Sequence, residues 1–242
     1  TQMISYDISH NIDLAFDVLD KSDSVSQEEI GRLEWIYFSA LTSSHRQPKV
    51  LYQQLSCDPS LFALVVSFVY KSEDEQEVAS DVDEATAALA MRCYELLQRW
   101  HWVPGVTDGV LDSEQLRDWI EKAREECQKK GIRKTSDSII GEVLARTPKD
   151  SGGFWPSKDV ADIIEQLASE EVELGISIGI YNKRGVFGKA IDEGGIQEKT
   201  LAETYEDHSE AFVDTHPRTT AMLKKVARGY RSDAHREDLR AE

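Results

Sequence analysis

The chain has 242 residues, 40% of them hydrophobic and 30% charged, which describes a globular protein able to bury a substantial core without metal or disulfide staples. Its 28 basic residues against 45 acidic ones leave a net charge of −17, a field that repels nucleic-acid backbones and anionic lipid. The longest apolar run, Leu61 to Val66 and on to Tyr70 across Ser67, is too short to span a bilayer. No charged-then-apolar leader precedes the first helical pattern, so a cytoplasmic protein is expected.

In chain order, helix starts carry their usual chemistry. Ser26-Gln27-Glu28-Glu29 forms a capping box, and Asp58-Pro59 sets an N-cap before a first-turn proline. Asp112 to Gln115 repeats the box, Ser157 caps after Trp155-Pro156, and Thr215-His216-Pro217 opens the last helix. One-sided apolar stripes run through Val82, Ala85, Leu89, Cys93, Leu96 and Trp100, and through Leu116, Trp119, Ile120, Ala123 and Cys127. A third joins Val160, Ile163, Ile164, Leu167, Leu174 and Ile178; others join Leu201, Tyr205 and Phe212, and Met222, Val226 and Tyr230. Segments at roughly 5–20, 26–42, 48–56, 59–70, 80–101, 112–130, 136–146, 157–182, 196–214 and 217–241 therefore read as helices. The expected fold is all-α, an irregular α-solenoid or multi-helix bundle of about ten helices. The acidic stretch Lys71 to Ser80 suggests a division into subdomains 1–75 and 76–242. The connections His101 to Leu111 and Thr147 to Pro156 are expected as loops.

Six of 14 glycines fall between Gly175 and Gly195, the one sequence feature that departs from a plain helical background. A phosphate-binding loop is excluded, because Gly188-Lys189 is followed by Ala190 and the first glycine position holds Lys183. A dinucleotide fingerprint fails for lack of strand–turn–helix spacing. Gly185 then reads as the left-handed cap of a long helix ending near Asn182, and Gly194-Gly195 as a break before the next one.

Other chemistry finds little support. Cys57, Cys93 and Cys127 are far apart and odd in number, which predicts three reduced core cysteines. His208 reads as a boundary residue near Tyr205, and His216 as part of a helix start. No metal set, nucleophile elbow or triad emerges, and no cofactor is expected. The five tryptophans read as packing anchors.

The segments RLEWIYFSAL (32–41), LYQQLSCDPSLFALVVSFVY (51–70), IYNKRGVFGKAIDEGGIQEKTLAETY (180–205) and HPRTTAMLKKVARGYRSDAHREDLRAE (216–242) resemble the C-terminal helical region of long, largely uncharacterised bacterial proteins. Some proteins of this build resemble components of anti-phage defence. The resemblance implies an all-helical extension behind larger domains, and it carries over no catalytic residue. Because the chain starts mid-pattern and ends on charged helix, a fragment of a longer protein is expected. The favoured expectation is a non-enzymatic interaction, scaffold or target-sensing domain. Its partner would be another protein or another domain of the same polypeptide, with no nucleic acid or membrane. The alternative is an enzyme or small-ligand sensor at Asn182–Gly195, with Lys183, Arg184 and Lys189 contacting an anion.

Overall fold

A computed structural model describes residues 2–44, 46–73, 83–185, 188 and 193–241, with side chains from residue 10 onward. Among these the chain is all-α: twelve helices and one two-stranded hairpin. No described helix is long and apolar enough to cross a membrane. The chain divides into two compact units, residues 1–102 with 125–132, and residues 103–124 with 133–242.

The first unit holds α1 (Gln2–Leu19), α2 (Gln27–Ile36), α3 (Phe38–Leu41), α4 (Lys49–Cys57), α5 (Pro59–Val69) and α6 (Glu84–Arg99). The capping box at Ser26 is present in both directions: its hydroxyl accepts from the Glu29 N–H at 3.2 Å, and the Glu29 carboxylate accepts from the Ser26 N–H at 2.9 Å. Asp58 caps α5 by accepting from the N–H groups of Ser60 and Leu61. The expected helix over 26–42 breaks at Tyr37, whose backbone (φ −95°, ψ 14°) closes α2 and opens α3. Phe16, Ile30, Leu41 and Val50 form a buried cluster against which Ile12, Leu19, Val25 and Leu33 pack. Helices α5 and α6 close on Phe62, Cys93, Leu96 and Trp100, with the Phe62 and Trp100 rings 5.8 Å apart and the Trp100 indole N–H donating to Ser56 Oγ at 3.2 Å. This packing sets α6 in the first unit, whereas the expected boundary at 75/76 grouped it with the C-terminal part. In its stripe only Cys93, Leu96 and Trp100 are buried; Ala85 is exposed and Val82 lies outside the described residues, as does most of the acidic stretch after Glu73. Cys57 is exposed, not a core residue, because it stands at the last turn of α4.

The second unit begins with the hairpin β1 (Val106–Thr107) and β2 (Val110–Leu111), paired Val106 to Leu111 and Thr107 to Val110. Asp108 (φ 50°) and Gly109 (φ 78°) form its turn, the Asp-Gly pair that a two-residue hairpin favours. Helix α7 (Ser113–Lys129), capped by Asp112, starts in this unit and ends in the first. Then come α8 (Arg133–Leu144), α9 (Lys158–Leu167), α10 (Glu170–Arg184), α11 (Ile196–Glu210) and α12 (Pro217–Ala241).

The expected long helix 157–182 is two helices. Ala168 adopts a left-handed conformation (φ 47°, ψ 40°), and Ser169 caps α10. The break resets the helical phase. Val172, Ile176 and Ile180 are therefore buried, while Leu174 and Ile178, placed on the expected stripe, are exposed. Buried Asp137 anchors the joint. It receives a bidentate bond from Arg124 (2.8 Å on each oxygen), a bond from Arg133 (3.2 Å) and one from the Ser169 hydroxyl (2.9 Å). Glu165 of α9 caps α12, accepting from the Thr219 and Arg218 N–H groups.

Candidate functional site

The glycine stretch resolves mainly into packing. Gly175 and Gly179, one turn apart on α10, face α8. A methyl on Gly175 would collide with the Ser138 carbonyl, and one on Gly179 would lie 2.7 Å from Ala145 Cβ and 3.0 Å from Glu142 Cα. Gly141 of α8 meets the α10 backbone at Val172 and Ile176 in the same way. Contacts advance together along both helices, so α8 and α10 run parallel with backbone against backbone. Such an approach leaves no room for a Cβ. Gly185 ends α10 with φ 65° and ψ −158°. The positive φ is as expected, but the ψ is not that of a left-handed helical cap; it lies in a region open essentially to glycine alone. Gly195 precedes α11 and rests against the Ala234 backbone.

Of the three cations assigned to an anion in this stretch, Lys183 and Arg184 lie among the described residues. Arg184 turns inward: its guanidinium lies 2.6 Å from the carboxylate of Glu198, which is 2% exposed, and it donates to Gln197 Oε1 at 3.2 Å. Lys183 is exposed overall at the end of α10, and partial desolvation of its ammonium first, then the charges of Arg146 and Lys149, hold it below the usual lysine range. Lys189 lies outside the described residues. Lys183 and Arg184 stand in the last turn of α10, where cations suit the negative end of the helix dipole.

The histidines are also built into the fold. His208 is buried against the rings of Phe154 (5.3 Å) and Tyr205 (6.0 Å), and desolvation lowers its pKa below 6.5. His216 is buried at the start of α12, with Nε2 2.8 Å from Asp162. Burial pushes the Cys93 thiol up to about 11, which leaves it a packing residue and not a nucleophile. Among the described residues, no group of three or more His, Cys, Asp and Glu side chains could hold a metal ion.

A different kind of site lies in the first unit. Helices α1 and α2 leave a groove of about 490 Å³ between them, lined by Ile12, Ala15, Phe16, Leu19, Leu33 and Tyr37. Phe16 in its lining is buried and Tyr37 is 46% exposed, and Leu14, Val18 and Ile36 elsewhere on the same two helices are 50–69% exposed. Acidic residues interleave with the apolar ones in the sequence: Asp13, Asp17, Asp20 and Asp23, then Glu28 and Glu29 in the first turn of α2; Arg46 pairs with Asp20 and lies 3.7 Å from Asp17, and Arg32 pairs with Glu28. The lining positions 12, 15, 16 and 19 follow the spacing of one helix face, and 33 and 37 that of another. That spacing was visible in the sequence. Whether another element covers the face is a tertiary fact.

No family model, curated protein or solved structure matches this chain. The functional reading therefore rests on the chemistry of the groove and of the residues around it.

Proposed function

We propose that the chain is a non-enzymatic helical interaction module whose α1–α2 groove receives an amphipathic helix with a basic polar face, supplied by a protein partner. The carrying observation is an apolar groove between two helices whose sequences also carry acidic residues, Asp13, Asp23 and Glu29 among them. An inserted helix docks through apolar anchors at positions such as i, i+4 and i+7, and the groove offers a lining of matching chemistry. Acidic flanks favour a basic partner and speed its encounter. The resemblance to helical C-terminal regions of long bacterial proteins, some similar to components of anti-phage defence, supports a role in target recognition behind larger domains.

The test uses the full 242-residue chain and a fluorescently labelled peptide of leucine and lysine patterned as an amphipathic helix. Fluorescence anisotropy should show the patterned peptide binding and a scrambled peptide of equal composition binding far more weakly. Ala15→Lys sets a positive charge on an exposed groove position at little cost in helix propensity. It should weaken binding by about tenfold or more, the order expected of like charges brought together at an interface. Equal binding of the two peptides, or an unchanged affinity in Ala15→Lys, would overturn the proposal.

A further inference from the structure

The first unit has a second recess of opposite chemistry, separate from the groove. It measures about 360 Å³ and lies between the segment joining α3 to α4, the α4 helix and the C-terminal end of α6. Arg46, Gln47, Tyr52, Gln98, Arg99 and His101 contribute polar groups to it. Among the described residues no carboxylate lines it, in a chain carrying 45 acidic residues. We propose that this recess binds a small oxyanion, the carboxylate or phosphate group of a low-molecular-weight ligand.

The argument rests on which donors remain available. Thr42 and Ser44, also at the wall, already donate to the carbonyls of Ser39 and Leu41. Arg46 is held from behind: its two terminal nitrogens bond Asp20 at 2.8 and 2.9 Å, and one lies 3.7 Å from Glu34. Those acids neutralise its charge, and its unpartnered Nε is buried away from the recess, so Arg46 adds no further donor there. Among the described residues nothing bonds the side chains of Gln47, Gln98 or Arg99, or the Tyr52 hydroxyl. Burial pushes the Tyr52 pKa up to about 12, so the phenol stays a donor at neutral pH. Arg99 supplies the positive charge. Its place in the last turn of α6 suits a helix C-terminus on its own account, but that does not explain two amides and a phenol turned to the same recess. A donor-rich wall with one free guanidinium suits an acceptor-only ligand group. The volume is at the lower end of the roughly 300–1,000 Å³ of small-molecule sites.

Trp102 lies beside the recess, its ring 6.2 Å from that of Tyr52 and edge-on, and gives an optical reporter. The experiment titrates the full chain with sodium phosphate and, separately, sodium acetate, against sodium chloride of equal ionic strength. Thermal unfolding and tryptophan fluorescence are both read. A saturable response to phosphate or to acetate beyond that to chloride is expected, and the responding arm identifies the anion class. Arg99→Gln, at an exposed position that leaves the fold intact by far-ultraviolet circular dichroism, should weaken it by about tenfold or more, the order for a charged hydrogen bond. Trp102→Phe should lose the fluorescence change and keep the thermal shift. No response beyond chloride in either arm, an unaltered response in Arg99→Gln, or a fluorescence change that persists in Trp102→Phe would each overturn the proposal.

Discussion

The contact of α8 with α10 in the second unit and the meeting of α1 with α2 in the first solve the packing of two helices in opposite ways. At α8–α10, Gly141, Gly175 and Gly179 remove the side chains from between the helices, and backbone meets backbone. At α1–α2, Ile12, Phe16, Leu19 and Leu33 hold the helices by bulky side chains, and a lined groove remains. Charge divides differently: Arg184 is engaged with buried Glu198 and Arg46 with Asp20, whereas among the described residues Arg99 faces a recess without a carboxylate partner. The glycine cluster, the most conspicuous feature of the sequence, therefore marks a structural seam. The two recesses proposed as binding surfaces lie where the sequence is least conspicuous.

The largest test of this contrast is Arg184→Met. Removing the guanidinium breaks its pair with the buried carboxylate of Glu198, a change that costs about 3–5 kcal/mol when a buried pair is broken. Urea denaturation should show that loss. A loss below about 1 kcal/mol, the range of solvent-screened surface pairs, would place Arg184 with the available cations instead. For the same reason Arg184→Ala is a poor probe of ligand binding at this stretch, since it disturbs folding directly.

How much of this was legible in the sequence depends on whether the signal was local. Caps were: Ser26, Asp58 and Asp112 each hold the backbone N–H groups that their motifs predict. The hairpin was missed: Asp108-Gly109 carries a turn signal, but its strands of two residues each were hidden inside an expected loop. The break at Ala168 was masked because alanine is the strongest helix former and the apolar spacing runs on past it. Ser169-Glu170-Glu171 nevertheless carries a cap signature. The role of Gly175 and Gly179 depends on which helix lies opposite, and the openness of the groove depends on what does not. Neither can be read from one strip of residues.

A substitution of intermediate size compares two helical glycines. Gly175→Ala drives a methyl into the Ser138 carbonyl, rigid backbone that cannot yield locally, and should destabilise by about 1–3 kcal/mol through overpacking. Gly31 of α2 is also buried, but a methyl there would meet the Gln54 amide at 3.1 and 3.2 Å and Val50 Cγ1 at 3.2 Å, all side-chain ends. Gly31→Ala also gains helix propensity of about 0.8–1 kcal/mol. It should be neutral or stabilising in urea denaturation. Equal losses at the two positions would end the claim that only the second unit is packed backbone to backbone.

The smallest effect concerns the buried acid of the first unit. Glu34 is fully buried, accepts from the Leu51 N–H at 2.9 Å, and has its other oxygen without a hydrogen bond. Desolvation raises its pKa above 4.5, against the pull of Leu51 and Arg46. The folded chain therefore keeps this proton to a higher pH than the unfolded chain does. Its contribution to stability is greatest below pH 4.5 and falls as pH rises from there through the folded value. Glu34→Gln removes the titration and keeps an acceptor for Leu51, while Arg46 retains Asp20. Measured by urea denaturation at a series of pH values, the stability of Glu34→Gln relative to the parent should rise across that window. A flat or falling difference would show that Arg46 compensates Glu34 as fully as Arg184 compensates Glu198. The two units would then treat their buried acids alike.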